Sequence, residues 1–123
     1  MKRVLIVDDS ATVRLYHRGI LEDAGYFVDE AWNGEEALEM AREEPFDLLL
    51  IDVDMPKLDG FALLSELRRH QPPHPPAILV STEPAARNEM AAYRAGASCY
   101  LLKPVRRLQL VAYSQLLMGE APR

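Results

Sequence analysis

The chain has 123 residues, which is the length of one compact domain and leaves no room for a second. Hydrophobic residues make up 49% of the chain and charged residues 27%, a balance that excludes an intrinsically disordered protein. The formal net charge of −5 argues against direct nucleic-acid binding, because such binding depends on a basic surface that neutralises phosphates.

Cysteine use and hydropathy indicate a cytoplasmic location. Cys99 is the only cysteine, so no internal disulfide can form and a reducing compartment is expected. The apolar run near the N-terminus meets two carboxylates at Asp8 and Asp9, whereas a signal peptide needs a longer apolar stretch. No run approaches the ~20 apolar residues of a membrane span. We therefore expect a cytoplasmic protein without a membrane partner.

Four short apolar runs predict buried strands. They cover residues 4–7, 48–51, 77–80 and 100–102, and each is continuous rather than alternating. A continuous run of this length is typical of a strand buried on both faces, as in a parallel sheet covered by helices. Residues 27–31 form a fifth, more polar candidate that suits the edge of a sheet.

The segments between these runs have helical spacing. In the first segment, apolar residues recur at positions 13, 16, 20 and 24, with Ser10 as the expected N-cap and Gly25 as the stop signal. In the second, Asn33 followed by Glu36 has the spacing of a capping box, which opens a helix with apolar positions 37, 40 and 41.

Three more helices are predicted further along the chain. Asp59 is the expected cap of the third helix, whose apolar positions are 61, 64 and 67. Pro84 fits the first turn of the fourth helix, which is expected to run to Ala95 and stop at Gly96. Val105 opens the fifth helix, whose apolar positions are 105, 108 and 112.

Strand and helix therefore alternate five times. This order predicts an α/β fold with three layers, in which a five-stranded parallel sheet lies between helices joined by right-handed crossovers. Residues 71–76 contain four prolines and predict a stiff surface loop. We expect one domain over residues 1–118 and a frayed tail over residues 119–123.

Five polar residues lie where the predicted strands end. Asp8 and Asp9 follow the first strand, Asp52 follows the third, Ser81 follows the fourth and Lys103 follows the fifth. Ligands of open parallel sheets bind outside the carboxyl ends of the strands, near the point where strand order reverses. If the alternation is right, all five side chains converge on this edge.

This set of side chains suits phosphoryl transfer. Crowded carboxylates repel one another unless a cation joins them, and an oxygen-rich cluster suits Mg²⁺. A carboxylate such as Asp52 can act as a nucleophile and form an aspartyl phosphate. Lys103 supplies positive charge and the Ser81 hydroxyl can donate a hydrogen bond to a phosphoryl oxygen, which is the positioning and neutralisation that the reaction needs.

The order and spacing of four short motifs resemble the signature of response-regulator receiver domains. The motifs are Asp8-Asp9, the run from Asp52 to Gly60, Ser81-Thr82-Glu83, and Lys103-Pro104. Each motif is weak alone, but together they are specific, and the resemblance extends from residue 3 to about residue 118. The resemblance implies a flavodoxin-like fold with strand order 2-1-3-4-5, as in chemotaxis receivers.

The resemblance also implies a role for each acidic residue. Asp52 would be the phosphoryl acceptor. Asp9 and Asp52 would bind Mg²⁺ (or Mn²⁺) directly, Asp8 would bind it through water, and the main-chain carbonyl of Asp54 would add a ligand. Lys103 would contact the phosphoryl group.

A switch and its partners are implied in the same way. Ser81 and Tyr100 match the switch pair, a hydroxyl that moves toward the phosphoryl group and an aromatic ring that turns inward behind it. The Lys103–Pro104 peptide would be cis. The donor would be a sensor histidine kinase or a phosphotransfer protein. A downstream protein, or a second copy of the chain, would bind the surface of the fourth helix, fifth strand and fifth helix. Such a protein is a signalling switch that catalyses only its own phosphorylation and dephosphorylation.

Three residues depart from the family pattern. Asp54 and Glu83 place additional carboxylates two residues after Asp52 and Ser81, where we expect them to border the access route for water or a phosphatase. Val105 stands where an aromatic residue often follows Lys-Pro, so the start of the last helix is expected to pack differently.

Two other functions fit parts of the pattern. Asp52 and Asp54 are similar to the paired aspartates of haloacid-dehalogenase-type phosphatases, but those follow the first strand and leave no role for Asp8 and Asp9. A receiver that binds partners without phosphorylation is the other alternative, although such receivers usually lose an acidic residue or the lysine. Whether the chain acts alone or within a longer regulator stays open.

The remaining reactive side chains have simpler interpretations. Cys99 is expected to be a small buried residue rather than a redox centre. His17, His70 and His74 share no spacing typical of metal ligands, and all three are expected at the surface.

Overall fold

The computed structural model describes residues 1–70 and 74–119. Five strands and five helices alternate along the chain, as predicted. Residues 71–73 of the predicted loop and 120–123 of the predicted tail lie outside the described residues. The elements are β1 (Arg3–Val7), α1 (Ala11–Asp23), β2 (Phe27–Ala31), α2 (Gly34–Glu43), β3 (Leu48–Asp52), α3 (Gly60–Arg68), β4 (Ala77–Ser81), α4 (Ala85–Ala95), β5 (Cys99–Leu102) and α5 (Arg107–Leu117).

The strands form one parallel sheet in the order β2-β1-β3-β4-β5, which confirms the predicted fold class. Strands β1, β3 and β4 are almost entirely buried, in agreement with their continuous apolar sequences. The more polar β2 lies at an edge, as its composition predicts. Because β1 and β3 are neighbours, the residues that follow them share one end of the sheet.

Alternate residues of each strand pack against different helices, which produces the three layers. Leu5, Leu49 and their neighbours pack on one face with α2, α3 and α4. Ile6, Leu50 and their neighbours pack on the other face with α1 and α5. None of the helices in the described part of the chain has the length and apolar character needed to cross a membrane.

The predicted helix caps are present. The side chains of Ser10, Asn33 and Asp59 accept hydrogen bonds from backbone N–H groups in the first turns of α1, α2 and α3. Such a cap contributes about 1 kcal/mol to helix stability. Gly96 ends α4 with a φ of 105°, a conformation that favours glycine. Pro84 precedes α4 as its N-cap, one residue outside the helix turn in which the sequence placed it.

His17 corrects the expectation that all three histidines lie at the surface, because it is only 2% exposed. Helix α1 buries His17, Ile20 and Leu21, which lie three and four residues apart, and leaves the predicted core residue Tyr16 half exposed. His70 and His74 are exposed, as expected. Burial, with a smaller contribution from the Lys103 ammonium, lowers the pKa of His17 to about 4.

The fifth helix also differs from its prediction. It begins at Arg107, two residues after Val105, and it buries Leu110 and Ser114. Leu108, a predicted core residue, is 84% exposed. Val105 is still buried, although it lies in the segment that precedes the helix. Its carbonyl oxygen accepts a hydrogen bond from the Tyr16 hydroxyl.

The buried histidine predicts a loss of stability in acid. His17 stays neutral in the folded protein down to about pH 4 but takes up a proton near pH 6.5 when unfolded, so its contribution is complete above pH 6.5 and is lost as the pH falls toward 4. We expect the free energy of unfolding of the wild type, relative to His17→Gln, to fall by about 3 kcal/mol between pH 7.5 and pH 4. Urea denaturation in metal-free buffer measures this difference.

The exposed His70 provides the matched control for this experiment. His70→Gln removes an imidazole that lies in solvent, so it lacks the burial on which the loss of stability expected for His17 depends. Equal pH dependence in the two variants would show that His17 does not titrate as a buried group.

Candidate functional site

Three carboxylates meet at the carboxyl end of the sheet, where strand order reverses between β1 and β3. Asp8 and Asp9 directly follow β1, and Asp52 is the last residue of β3. One carboxylate oxygen of each lies within 4.8 Å of the other two. Asp8 and Asp52 are buried, and Asp9 is exposed. The structure thus brings together the acidic residues that the sequence placed at one edge.

Lys103 reaches this cluster from the loop that follows β5. Its Nζ lies 2.8 Å from Asp52 Oδ1 and 3.4 Å from Asp8 Oδ2. The Lys103–Pro104 peptide is cis, as the family resemblance implies. Lys103 and a metal ion bound in the cluster would therefore lie beside the same two carboxylates, Asp8 and Asp52.

The charge balance of the cluster is unfavourable without a further cation. Burial raises the pKa of Asp52, and the Asp8 carboxylate raises it further, although the hydrogen bond from Lys103 opposes both effects. Burial also opposes the charged form of Lys103, but its bonds to Asp52 and Asp8 raise its pKa overall. One ammonium among three carboxylates leaves the site negative, and hard oxygen donors in this arrangement fit Mg²⁺ or Mn²⁺.

Arg14 holds the backbone of the cluster, a role that the sequence analysis missed. Its Nη1 donates a hydrogen bond to the Asp8 carbonyl at 2.7 Å, and its Nε lies 2.9 Å from Glu30 Oε1. Trp32 lies beside it, with the guanidinium carbon 6.0 Å from the ring centroid. The available signal was an arginine in the second turn of the helix that Asp8 and Asp9 precede.

Ser81 ends β4 and is fully buried. Its hydroxyl donates to the Asp54 carboxylate, with Oγ 3.2 Å from Oδ2 and 3.4 Å from Oδ1. Thr82 donates to the same Oδ2 through its backbone N–H at 3.1 Å and its hydroxyl at 3.3 Å. The exposed Asp54 therefore binds residues at the end of β4, a contact that the sequence analysis did not predict.

Tyr100 connects the neighbouring loop to α4. Its hydroxyl donates to the Glu83 carbonyl oxygen at 2.6 Å and accepts from the Asn88 side-chain amide at 3.2 Å. The side chain is partly exposed, so its hydroxyl is fixed by these two contacts rather than by burial alone. The contact with Asn88 has no sequence signal, because it depends on how α4 packs beside β5.

Gly60 allows the loop after Asp52 to fold back against β3. A Cβ atom at Gly60 would lie 2.6 Å from the Asp52 carbonyl oxygen and 2.7 Å from the Val53 Cα. Real Cβ atoms essentially never approach backbone this closely, so the position requires glycine. The last residue of the Asp52–Gly60 motif thus lets the start of α3 approach the backbone of Asp52 and Val53 closely.

Comparison with known proteins identifies the class to which this fold and site belong. A family model described as the response regulator receiver domain matches residues 4–115. The chain therefore belongs to the response regulator receiver domain family. Receiver domains are signalling switches of two-component systems, and they interact with histidine kinases or phosphotransfer proteins.

Individual relatives agree with this assignment. The chain is 32% identical over 119 residues to the transcriptional regulatory protein ResD of Bacillus subtilis, an alignment that covers 97% of this chain and 49% of ResD. It is 36% identical over 111 residues to a gliding motility regulatory protein of Myxococcus xanthus, covering 89% of this chain and 14% of that protein. The chain thus spans about half, or less, of the length of the curated relatives it matches.

Solved structures of whole receivers are similar throughout. The chemotaxis protein CheY4 of Vibrio cholerae superposes with a TM-score of 0.89 at 34% identity, covering 95% of this chain and 98% of that one. A CheY-like receiver domain protein of Methanospirillum hungatei gives a TM-score of 0.90 at 31% identity, covering 97% and 94%. The described part of the chain therefore has the flavodoxin-like receiver fold.

The close approach at Gly60 predicts a site-specific loss of stability. Gly60→Ala forces the Asp52 backbone to move, and we expect the free energy of unfolding to fall by about 2 kcal/mol. Gly19→Ala is the matched control, because nothing lies within 4 Å of a Cβ at this exposed position in α1. There alanine should raise stability by about 1 kcal/mol through helix propensity. Urea denaturation measures the free energy of unfolding of both variants. An unchanged free energy of unfolding in Gly60→Ala would refute the requirement for glycine at this position.

Proposed function

We propose that this receiver accepts a phosphoryl group on Asp52 from a sensor histidine kinase or a phosphotransfer protein, and that the modification switches a partner-binding surface. The observation that carries the proposal is the meeting of Asp8, Asp9 and Asp52 with Lys103 at one end of the sheet. These groups combine a buried nucleophile with the positive charge that phosphoryl transfer needs.

The same cluster is the proposed site for Mg²⁺ or Mn²⁺. Asp9 and Asp52 would bind the ion directly, Asp8 through water, and Asp54 through its main-chain carbonyl. The spacing of the three carboxylates supports this assignment. When bound, the ion supplies positive charge to the phosphoryl oxygens.

Phosphoryl transfer begins with attack of an Asp52 oxygen on the phosphorus of a phosphohistidine. The P–N bond breaks, and the imidazole leaves with the bonding electrons and takes up a proton. Lys103 lies 2.8 Å from Asp52 and is placed to neutralise charge on the transferred group. The Ser81 hydroxyl then donates a hydrogen bond to a phosphoryl oxygen, and the Tyr100 ring turns inward behind it.

The surface that would respond to phosphorylation of Asp52 comprises α4, β5 and α5. Met90, Tyr93, Leu102 and Leu116 expose large apolar side chains on these elements, which supports docking of a downstream protein or a second copy of the chain. Phosphorylation would shift the population of conformations that this surface adopts. We assign these roles to a cytoplasmic receiver domain over residues 1–118 that makes no direct contact with nucleic acid.

Chemical phosphorylation tests the assignment of Asp52. In acetyl phosphate and Mg²⁺, intact-mass spectrometry should find one phosphoryl group on the wild type and none on Asp52→Asn. Asp23→Asn removes an exposed carboxylate at the far end of α1 and should label like the wild type. Chelation of the metal should abolish labelling.

Three results would overturn this proposal. Undiminished labelling of Asp52→Asn would place the acceptor elsewhere. A wild type that takes no label, yet binds its partner, would be a receiver that acts without phosphorylation. Steady turnover of p-nitrophenyl phosphate would instead favour the aspartate-nucleophile phosphatase.

A further inference from the structure

Three hydrogen-bond donors at the end of β4 converge on a single carboxylate. The Ser81 hydroxyl, the Thr82 backbone N–H and the Thr82 hydroxyl lie 3.2, 3.1 and 3.3 Å from Asp54 Oδ2. We call these three donors the β4 cradle. Donors that satisfy one anionic oxygen are also suited to another, such as an oxygen of a phosphoryl group.

Ser81 has no spare proton while this arrangement lasts. A serine hydroxyl carries one hydrogen, and in Ser81 it is directed at the Asp54 carboxylate. The Ser81 oxygen also accepts a hydrogen bond from the Glu83 backbone N–H at 3.0 Å. Ser81 cannot donate to a phosphoryl oxygen until Asp54 releases it.

The cradle lies beside the acceptor carboxylate. The Asp54 backbone N–H donates to Asp52 Oδ1 at 3.1 Å, so the residue that occupies the cradle is tied directly to the proposed phosphorylation site. The Asp54 side chain is exposed, and it can therefore rotate into water without leaving a buried charge unpaired. Release of the cradle requires a side-chain movement and no rearrangement of the sheet.

We propose that the Asp54 carboxylate is a built-in competitor, which occupies the β4 cradle in the unphosphorylated protein and must leave before the cradle can bind the phosphoryl group on Asp52. This inference rests on the proposed function. Only the fraction of molecules with an open cradle binds the phosphoryl group fully, so Asp54 lowers the apparent affinity of the site. Asp54 thereby sets how strongly the cradle binds the phosphoryl group once Asp52 is phosphorylated.

Removal of the competitor should strengthen binding of a phosphoryl analogue. In Asp54→Ala the main-chain carbonyl remains, but the cradle is empty. We expect beryllofluoride, an unreactive analogue, to bind about tenfold more tightly in the presence of Mg²⁺, and acetyl phosphate to label Asp52 about tenfold faster. Fluorescence or NMR titration measures the affinity, and intact-mass spectrometry measures the rate.

Glu83→Ala separates competition from simple charge repulsion. Glu83 carries the same charge near Ser81, but within residues 1–70 and 74–119 its carboxylate makes no hydrogen bond to the cradle. Its removal at moderate salt should change the affinity for beryllofluoride by less than about twofold, because exposed charges are screened. Equal gains in Asp54→Ala and Glu83→Ala would refute competition for the donors.

A measurement on the metal-free protein tests the cradle independently of phosphorylation. The Thr82 N–H is hydrogen-bonded to Asp54, so Asp54→Ala should speed its hydrogen exchange, whereas Glu83→Ala should not. A wild type that neither labels nor binds beryllofluoride would overturn the proposed function and this inference with it. A wild type that labels, beside an Asp54→Ala that labels no faster and binds no tighter, would overturn this inference alone.

Discussion

Crowding of carboxylates at one end of the sheet is the constraint on which this structure depends. Asp8 and Asp52 are buried beside each other, and each would be destabilised there without a neighbouring cation. Lys103 supplies one positive charge from the far edge of the sheet. The parallel order that makes β1 and β3 neighbours, the missing side chain at Gly60 and the hydrogen bond from Arg14 all serve to hold this unfavourable group of charges in place.

The described hydrogen bonds form a continuous path from the acidic cluster toward α4. Asp54 accepts from Ser81, Ser81 accepts from the Glu83 backbone N–H, and the Glu83 carbonyl accepts from Tyr100. Tyr100 in turn accepts from Asn88 in α4. Under the proposed function, a change in what Ser81 binds would act in turn on the Glu83 backbone, on Tyr100 and on Asn88. The exchange of the Asp54 carboxylate for the phosphoryl group on Asp52 would act on this path at Ser81.

The sequence predicted the fold because short apolar runs mark the positions of the strands. It predicted that Asp8, Asp52 and Lys103 meet because these residues lie at or directly after the ends of those strands. It failed for His17, which lies on the buried face of α1 beside Ile20 and Leu21, because a helix pattern built on apolar residues passes over histidine. It failed for Leu108, which is two residues from the buried Leu110 and therefore points away from the core. It could not reveal that Asp54 binds the end of β4, because that contact joins two loops from different strands.

Binding of a paramagnetic ion tests the central claim most directly. In a Mn²⁺ titration followed by amide NMR, the account predicts that substoichiometric ion broadens the signals of residues near Asp9, Asp52 and Lys103 first, and that Asp9→Asn weakens the effect. Broadening that begins instead at the opposite end of the sheet, near the acidic pair Glu43 and Glu44, would contradict the account, as would broadening that Asp9→Asn leaves unchanged.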